Sequence, residues 1–309
     1  MANVLVTGGG GFIGSHLATR LVELGHRVRV LDNFATGRRE NLSAVASKIE
    51  LLEGDLREPR ACQAACADIE FIFHEAALPS VPVSVERPRE SHDANIQGTF
   101  NLLLAAREAR CRRVIYAGSS SAYGDSEVSP KHEDLPPAPK SPYAVQKLTG
   151  EHYCRAFYEC WGLETLTIRY FNVFGPRQDP KSQYAAAIPA FVMAIIAGQP
   201  PTVYGDGEQT RDFTYIDNVV HGNMLAMTVR QTRGEVINVA CGESISVNRV
   251  IARVNELLGK RIQPHYAAPR AGDVRDSLAD IRRARALLGY EPQVSFDEGL
   301  KRAIGYYVA

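Results

Sequence analysis

NVLVTGGGGFIGSHL, residues 3–17, decides the fold. NVLVT is a short β-branched run, and a helical pattern begins at Phe12. Glycines at such a strand–turn–helix junction permit a tight turn, close approach of backbone to a pyrophosphate, and close packing of helix on strand. The helix N-terminus adds unpaired N–H groups and a partial positive charge. A Gly-rich turn alone is generic, but two features make this one specific. It lies between a strand and a helix, and Asp32 ends the second strand 18 residues after Gly14. A carboxylate there accepts both hydroxyls of an adenosine ribose and repels a 2′-phosphate, which favours NAD over NADP. The glycines fit two registers, Gly9/Gly11/Gly14 and Gly8/Gly11/Gly14.

Further along, β-branched runs predict strands at 3–7, 27–32, 49–55, 69–76, 112–119 and 163–171, with helices near 12–24, 57–66, 90–110 and 142–161. Several strands are apolar on both faces, as strands covered on both sides must be. This alternation predicts an α/β fold, a doubly wound parallel sheet of Rossmann type, with a smaller C-terminal lobe. The expected division is 1–172 for the NAD-binding part and 173–309 for the lobe, with a segment near 208–238 as a candidate to return to the sheet. The lobe is expected to carry helices near 184–197, 217–230, 246–258, 280–288 and 296–307.

The 309 residues have a formal net charge of zero, which argues against a nucleic-acid surface. Arg38-Arg39 and Arg112-Arg113 read as solvated loop ends. The six cysteines form no C-x-x-C pair and no zinc spacing, so no metal site is expected, and reduced thiols suit a cytoplasmic setting. MANVLVTGG lacks the charge and apolar run of a signal peptide, and no apolar stretch is long enough to span a bilayer.

SPYAVQK (141–147) reads as a helix start, with Ser141 as N-cap and Pro142 at the first helical position. Tyr143 and Lys147 then share one face, one turn apart. A phenol titrates near pH 10. A nearby ammonium and a cationic nicotinamide ring would favour its phenolate, making a base for a sugar hydroxyl. This is the Tyr-x-x-x-Lys signature of the short-chain dehydrogenase/reductases. GSSSAYG (118–124) supplies the serine that this superfamily has at the end of its fifth strand, and Ser119 matches it. Thr7 before Gly8/Gly11/Gly14, with Phe12-Ile13 between the last two glycines, resembles the extended branch.

Over almost its whole length the chain resembles bacterial UDP-glucose and UDP-N-acetylglucosamine 4-epimerases. In their dehydratase relatives acidic residues follow the catalytic hydroxyl; here Ser120 and Ser121 stand there, so oxidation and re-reduction at C4 is the implied chemistry. The resemblance implies catalytic Ser119, Tyr143 and Lys147. It implies cofactor contacts from Gly8, Gly11, Phe12, Ile13, Gly14, Asp32, Asn33, Asp55, Leu56, Ala76, Ala77, Asn95, Tyr143, Lys147 and Tyr170. For a UDP-sugar it implies Ser121, Asn172, Tyr204, Arg211, Arg270, Asp273 and Ser277. Tyr204 also reads as a core aromatic, and Arg211–Asp212 as a surface charge pair. Leu78-Pro79 departs from the Leu-Lys often found in glucose-type enzymes.

At Ser277, relatives that reject N-acetylated sugars have a tyrosine, so a serine implies UDP-GlcNAc and UDP-GalNAc as substrates, with UDP-Glc and UDP-Gal as poorer ones. FNVFGPRQDPKSQYAAAIPAF (171–191) carries the same resemblance. The alternatives are a UDP-glucuronate 4-epimerase, a dehydratase or decarboxylase, and a non-catalytic NAD-binding regulator. Tightly held NAD and a homodimer through the helices near 90–110 and 142–161 are implied too.

Overall fold

The computed structural model describes residues 1–179, 187–269 and 275–308. Seven parallel strands form the central sheet. The first six are β1 (Asn3–Thr7), β2 (Arg27–Asp32), β3 (Ile49–Glu53), β4 (Phe71–His74), β5 (Arg113–Ser119) and β6 (Glu164–Tyr170). Their order is β3-β2-β1-β4-β5-β6, and the strand Glu235–Val239 adds to the free side of β6. The order reverses between β1 and β4, so the loops leaving those two strands flank a crevice at the carboxyl edge, where open α/β sheets take their ligands.

Both faces of the sheet are covered. Val4 and Val6 of β1 point into one core with Leu17, Ala18 and Leu21 of helix α1 (Phe12–Glu23). Leu5, between them, points into the other core. That core holds Cys62 of α2 (Pro59–Cys66) and Phe157 of the long helix Pro142–Trp161. This strict alternation follows from the pleat.

Three elements differ from the sequence expectation. Arg39–Lys48 is a 3-10 helix in a stretch that carries no helical period. Val81–Glu86 is a short helix, α3, capped by Ser80, whose hydroxyl accepts from Val83 N. The helix expected at 90–110 is continuous but built in three parts: α4 (Pro88–His92), a π turn (Asp93–Gln97) and α5 (Gly98–Glu108). Arg113 is no loop end. It is fully buried, bonds Glu164 at 2.8 Å through Nε, and donates to the carbonyls of Ala226, Met227 and Val229 at 2.8, 3.1 and 2.9 Å.

The lobe packs two small strand groups against helices Ala187–Ile196, Val247–Leu258 and Phe296–Val308. Thr202–Tyr204 pairs with His265–Ala267. Thr210–Arg211 lies between Ile245–Ser246 and Asp276–Ser277. The six cysteines are free, and four are buried. Among the described residues no helix is long and apolar enough to cross a membrane, and no group of side chains could hold a metal ion.

Candidate active site

The first wall of the crevice is the glycine turn after β1. Gly8 has φ +68°, and a Cβ there would stand 2.7 Å from the Ala76 backbone. A Cβ on Gly14 would stand 2.2 Å from the Gly8 carbonyl oxygen. Helix α1, with Phe12 and Ile13 in its first turn, has Gly11 as N-cap, no side-chain cap and no acid in that turn. Its leading N–H groups are therefore suited to an anion.

Asp32 lies at the far end of this turn, 8% exposed. Gly10 N donates to one carboxylate oxygen at 2.8 Å and Phe34 N to the other at 2.7 Å. Each oxygen keeps a further lone pair for a ribose hydroxyl. Burial pushes the Asp32 carboxyl up, while the two N–H groups and Arg39 pull it back. Arg38 and Arg39 are exposed at the end of a loop, as expected. Arg38 pairs with Asp179 at 2.6 Å and donates its own N–H to Gly10 O, while Arg39 lies over the Phe34 ring and pairs with Glu53. Both ion pairs are exposed to solvent, and it is the Asp32 carboxylate that suits the niche to an unphosphorylated ribose. An uncapped helix start, a turn that a Cβ would fill, and this carboxylate together fit NAD.

Next to it, Asn33 donates to Asp55 at 2.7 Å, and Arg57 forks onto the same carboxylate at 3.0 and 2.7 Å. Arg57 holds the Asp55 carboxyl down at about 2. Leu56 is buried in the core beside α2 and α5, and its carbonyl accepts from Asn101 at 2.9 Å. Across the crevice Ala76 N reaches Thr7 Oγ1 at 3.4 Å, and Ala77 follows it. Asn95, in the π turn, is 2% exposed, and its carboxamide is engaged by protein groups. It accepts from Leu78 N at 2.7 Å and donates to Gln146 Oε1 at 2.8 Å, which ties the loop after β4 to the helix that carries Tyr143 and Lys147.

That helix, α6, starts as the sequence implies. Ser141 Oγ accepts from Ala144 N at 3.2 Å, and Pro142 occupies its first turn. Tyr143 N donates to Ser84 Oγ at 3.1 Å, so the unanticipated α3 steadies the start of α6. Ser119, at the end of β5, lies near enough to the Tyr143 phenol to favour its ionised form. Ser121 Oγ stands 2.8 Å from Ser119 Oγ, so the two serine hydroxyls are paired. Lys147, 4% exposed, donates to Ala117 O at 2.8 Å.

The protein's own groups push the Tyr143 phenol up: burial dominates, Ser119 lowers it, and Glu75 raises it again; the ring charge of NAD, when bound, acts in the opposite direction. The reason is dielectric. Burial disfavours the phenolate as it disfavours the Lys147 ammonium, which is pulled below its usual value while Glu75 and Glu151 oppose the fall.

Glu75 is a residue that sequence reading missed. It follows β4 directly and accepts from the Tyr170 hydroxyl at 2.8 Å; Asn223 Nδ2 donates to that hydroxyl at 2.9 Å. The available signal was an acid at the end of an otherwise apolar strand, just before Ala76-Ala77. Ser84 carried no signal.

In the lobe, Arg211 and Ser277 are partners across neighbouring strands, and Asp212 N donates to Ser277 O at 2.7 Å. Arg211 donates to the carbonyls of Thr210 and Arg275 at 2.8 and 3.0 Å. Asp212 is not a surface partner of Arg211. It is fully buried and accepts from Cys241 N, Gly242 N and Ala279 N at 2.9, 2.9 and 3.2 Å. Asn172 has φ +32°, and its carbonyl accepts from Thr214 N. Tyr204 is 36% exposed rather than a core aromatic. Arg270 and Asp273 lie outside the described residues.

Residues 4–240 match the NAD dependent epimerase/dehydratase family. Three solved structures are similar over nearly the whole chain. A UDP-N-acetylglucosamine 4-epimerase from Methanobrevibacter ruminantium, in complex with UDP-N-acetylmuramic acid, is 38% identical with a TM-score of 0.95, covering 99% of this chain and 98% of its own. A UDP-glucose 4-epimerase from Thermotoga maritima with UDP-glucose is 37% identical with a TM-score of 0.95, at the same coverage. A UDP-glucuronic acid 4-epimerase from Bacillus cereus, with UDP-glucuronic acid and NAD, is 33% identical with a TM-score of 0.91, covering 98% of each chain.

Proposed function

We propose that this chain, which belongs to the NAD-dependent epimerase/dehydratase family, is an NAD-dependent enzyme that inverts UDP-sugars at C4. The observation that carries this reading is the Ser119–Ser121 hydroxyl pair at the end of β5, with Tyr143 and Lys147 one turn apart at the start of α6 and serines where dehydratases carry acids. When bound, NAD supplies a reversible hydride acceptor and a positive ring charge. Tyr143, as phenolate, takes the C4 hydroxyl proton as the C4–H electron pair leaves as hydride, and C4 becomes a carbonyl. Ser119 hydrogen-bonds that oxygen, and Ser121 orients Ser119. Lys147 favours the phenolate. The ketone then turns within the crevice, and Tyr143 returns the proton as hydride arrives at the opposite face.

The preferred substrates are UDP-GlcNAc and UDP-GalNAc, with UDP-Glc and UDP-Gal as poorer ones. Similarity alone does not choose, since the three related structures are named for three different sugars. What supports the choice is Ser277, a small side chain in register with Arg211, a candidate diphosphate ligand with Asn172. Filling that space should reject the acetamido group: Ser277→Tyr should lower turnover of the acetylated pair about tenfold or more relative to the glucose pair. Equal losses for both pairs would remove the pocket argument.

The protein is expected to keep its NAD through purification and to pair through α4–α5 and α6, where Val145 and Trp161 are exposed. The test is to add UDP-GlcNAc without NAD and seek UDP-GalNAc by chromatography. Product supports C4 inversion, acetamido tolerance and retained cofactor together. UDP-glucuronate as the only sugar turned over would favour the glucuronate reading. Silence with every sugar, even with NAD added, would leave a cofactor-binding regulator.

A further inference from the structure

Glu75 is a carboxylic acid placed inside the crevice where no step of the proposed chemistry uses one. It leaves β4 between buried His74 and the two alanines beside the glycine turn. The Tyr170 hydroxyl of β6 donates to its Oε1 at 2.8 Å, and Asn223 of the helix Ile216–Thr228 fixes that hydroxyl from behind. Charge interactions couple it to α6: the Lys147 ammonium lowers the Glu75 carboxyl, and Glu75 raises both Lys147 and the Tyr143 phenol. Burial pushes its carboxyl up, whereas the Tyr170 bond and the Lys147 ammonium hold it down. A charge in a site of this kind acts on every neighbour at once, because little water screens it.

We propose that Glu75 is a positioning residue that sets the charge balance of the crevice, holding the nicotinamide in its oxidised, cationic form and opposing Lys147 at Tyr143. The signs follow from electrostatics. A carboxylate stabilises a cationic ring more than the neutral ring that hydride transfer leaves. It also destabilises the Tyr143 phenolate. Glu75 therefore limits the build-up of reduced cofactor between the two hydride transfers, at the cost of a less acidic phenol. The redox balance is that of the proposed reaction: the sugar C4 loses hydride to NAD and a proton to Tyr143.

This inference rests on the C4 reading above, and Glu75→Gln tests it, since an amide oxygen still accepts from Tyr170. With UDP-GlcNAc and then UDP-Glc, the near-ultraviolet absorbance of reduced nicotinamide at steady state should rise about fivefold over the parent. The acid limb of the kcat/KM profile, which reports Tyr143, should move down by about one pH unit. Glu75→Leu, also uncharged, should move both readouts in the same direction. Unchanged absorbance and an unmoved limb in a folded, NAD-containing variant would overturn the proposal. So would failure of both variants to fold, because the carboxylate would then serve the fold. If the parent itself shows neither product nor reduced cofactor, the C4 reading fails instead, and the two failures are told apart by the parent alone.

Discussion

Turnover by the Tyr143→Phe variant should fall about a thousandfold while its bound NAD is retained, a loss within the range of general-base removal. The substitution deletes one oxygen and leaves the rest of the helix start in place. Ser141 still caps α6, and the residue 143 N–H still reaches Ser84. Folding and cofactor content, read by melting and by released NAD, should therefore stay close to the parent's. The pH dependence gives a second check. Because the protein's own groups hold the Tyr143 phenol above its ordinary value, the active phenolate form gains population as pH rises. Parent kcat/KM should thus climb on its acid side, and that climb should vanish in the residual activity of Tyr143→Phe. Activity within tenfold of the parent would remove Tyr143 from its assigned role.

Gly14→Ala should abolish cofactor retention rather than chemistry alone. The added methyl would stand 2.2 Å from the Gly8 carbonyl oxygen, 2.8 Å from its carbon and 2.9 Å from Gly9 Cα. All three are backbone atoms, and the first belongs to a residue at φ +68° whose other side abuts Ala76. Nothing flexible can yield, so α1 must lift off the turn. Overpacking of this kind costs about 1–3 kcal/mol in stability. The greater damage is to the cradle, where displaced N–H groups no longer converge on the diphosphate. NAD released from the purified variant should fall below about a tenth of the parent's, a change worth at least about 1.4 kcal/mol. Full NAD content would show that the turn tolerates a Cβ and that the close approach is not essential.

Local features were the legible ones. The turn at Gly8–Gly14 and the Ser141-Pro142 start of α6 depend on residues a few positions apart, and their chemistry shows in the letters. What escaped depends on distant partners. Arg113 looked like a surface charge because Glu164 and the carbonyls at 226–229 arrive from far along the chain. Asp212 looked like half of a surface pair, since the three N–H groups that surround it belong to loops 29, 30 and 67 residues away. The upward pull of burial on Tyr143 escaped for a related reason. Sequence places the ammonium nearby but does not show how much solvation the fold removes from both groups.

The edge strand Glu235–Val239 has a bearing on how such a chain can change its specificity. It pairs with β6 after the chain has already visited the lobe, and the carbonyls of Ala226, Met227 and Val229 that satisfy Arg113 lie just before it. The sheet therefore cannot be cut away as an autonomous module, nor can the lobe be exchanged for another by splicing at a single junction. A chimera joined near residue 172 would strip a strand from the sheet and leave the buried Arg113 guanidinium with Glu164 but without its three carbonyl acceptors. Replacing individual side chains leaves that pairing intact, and Ser277 is the position proposed above for such a change.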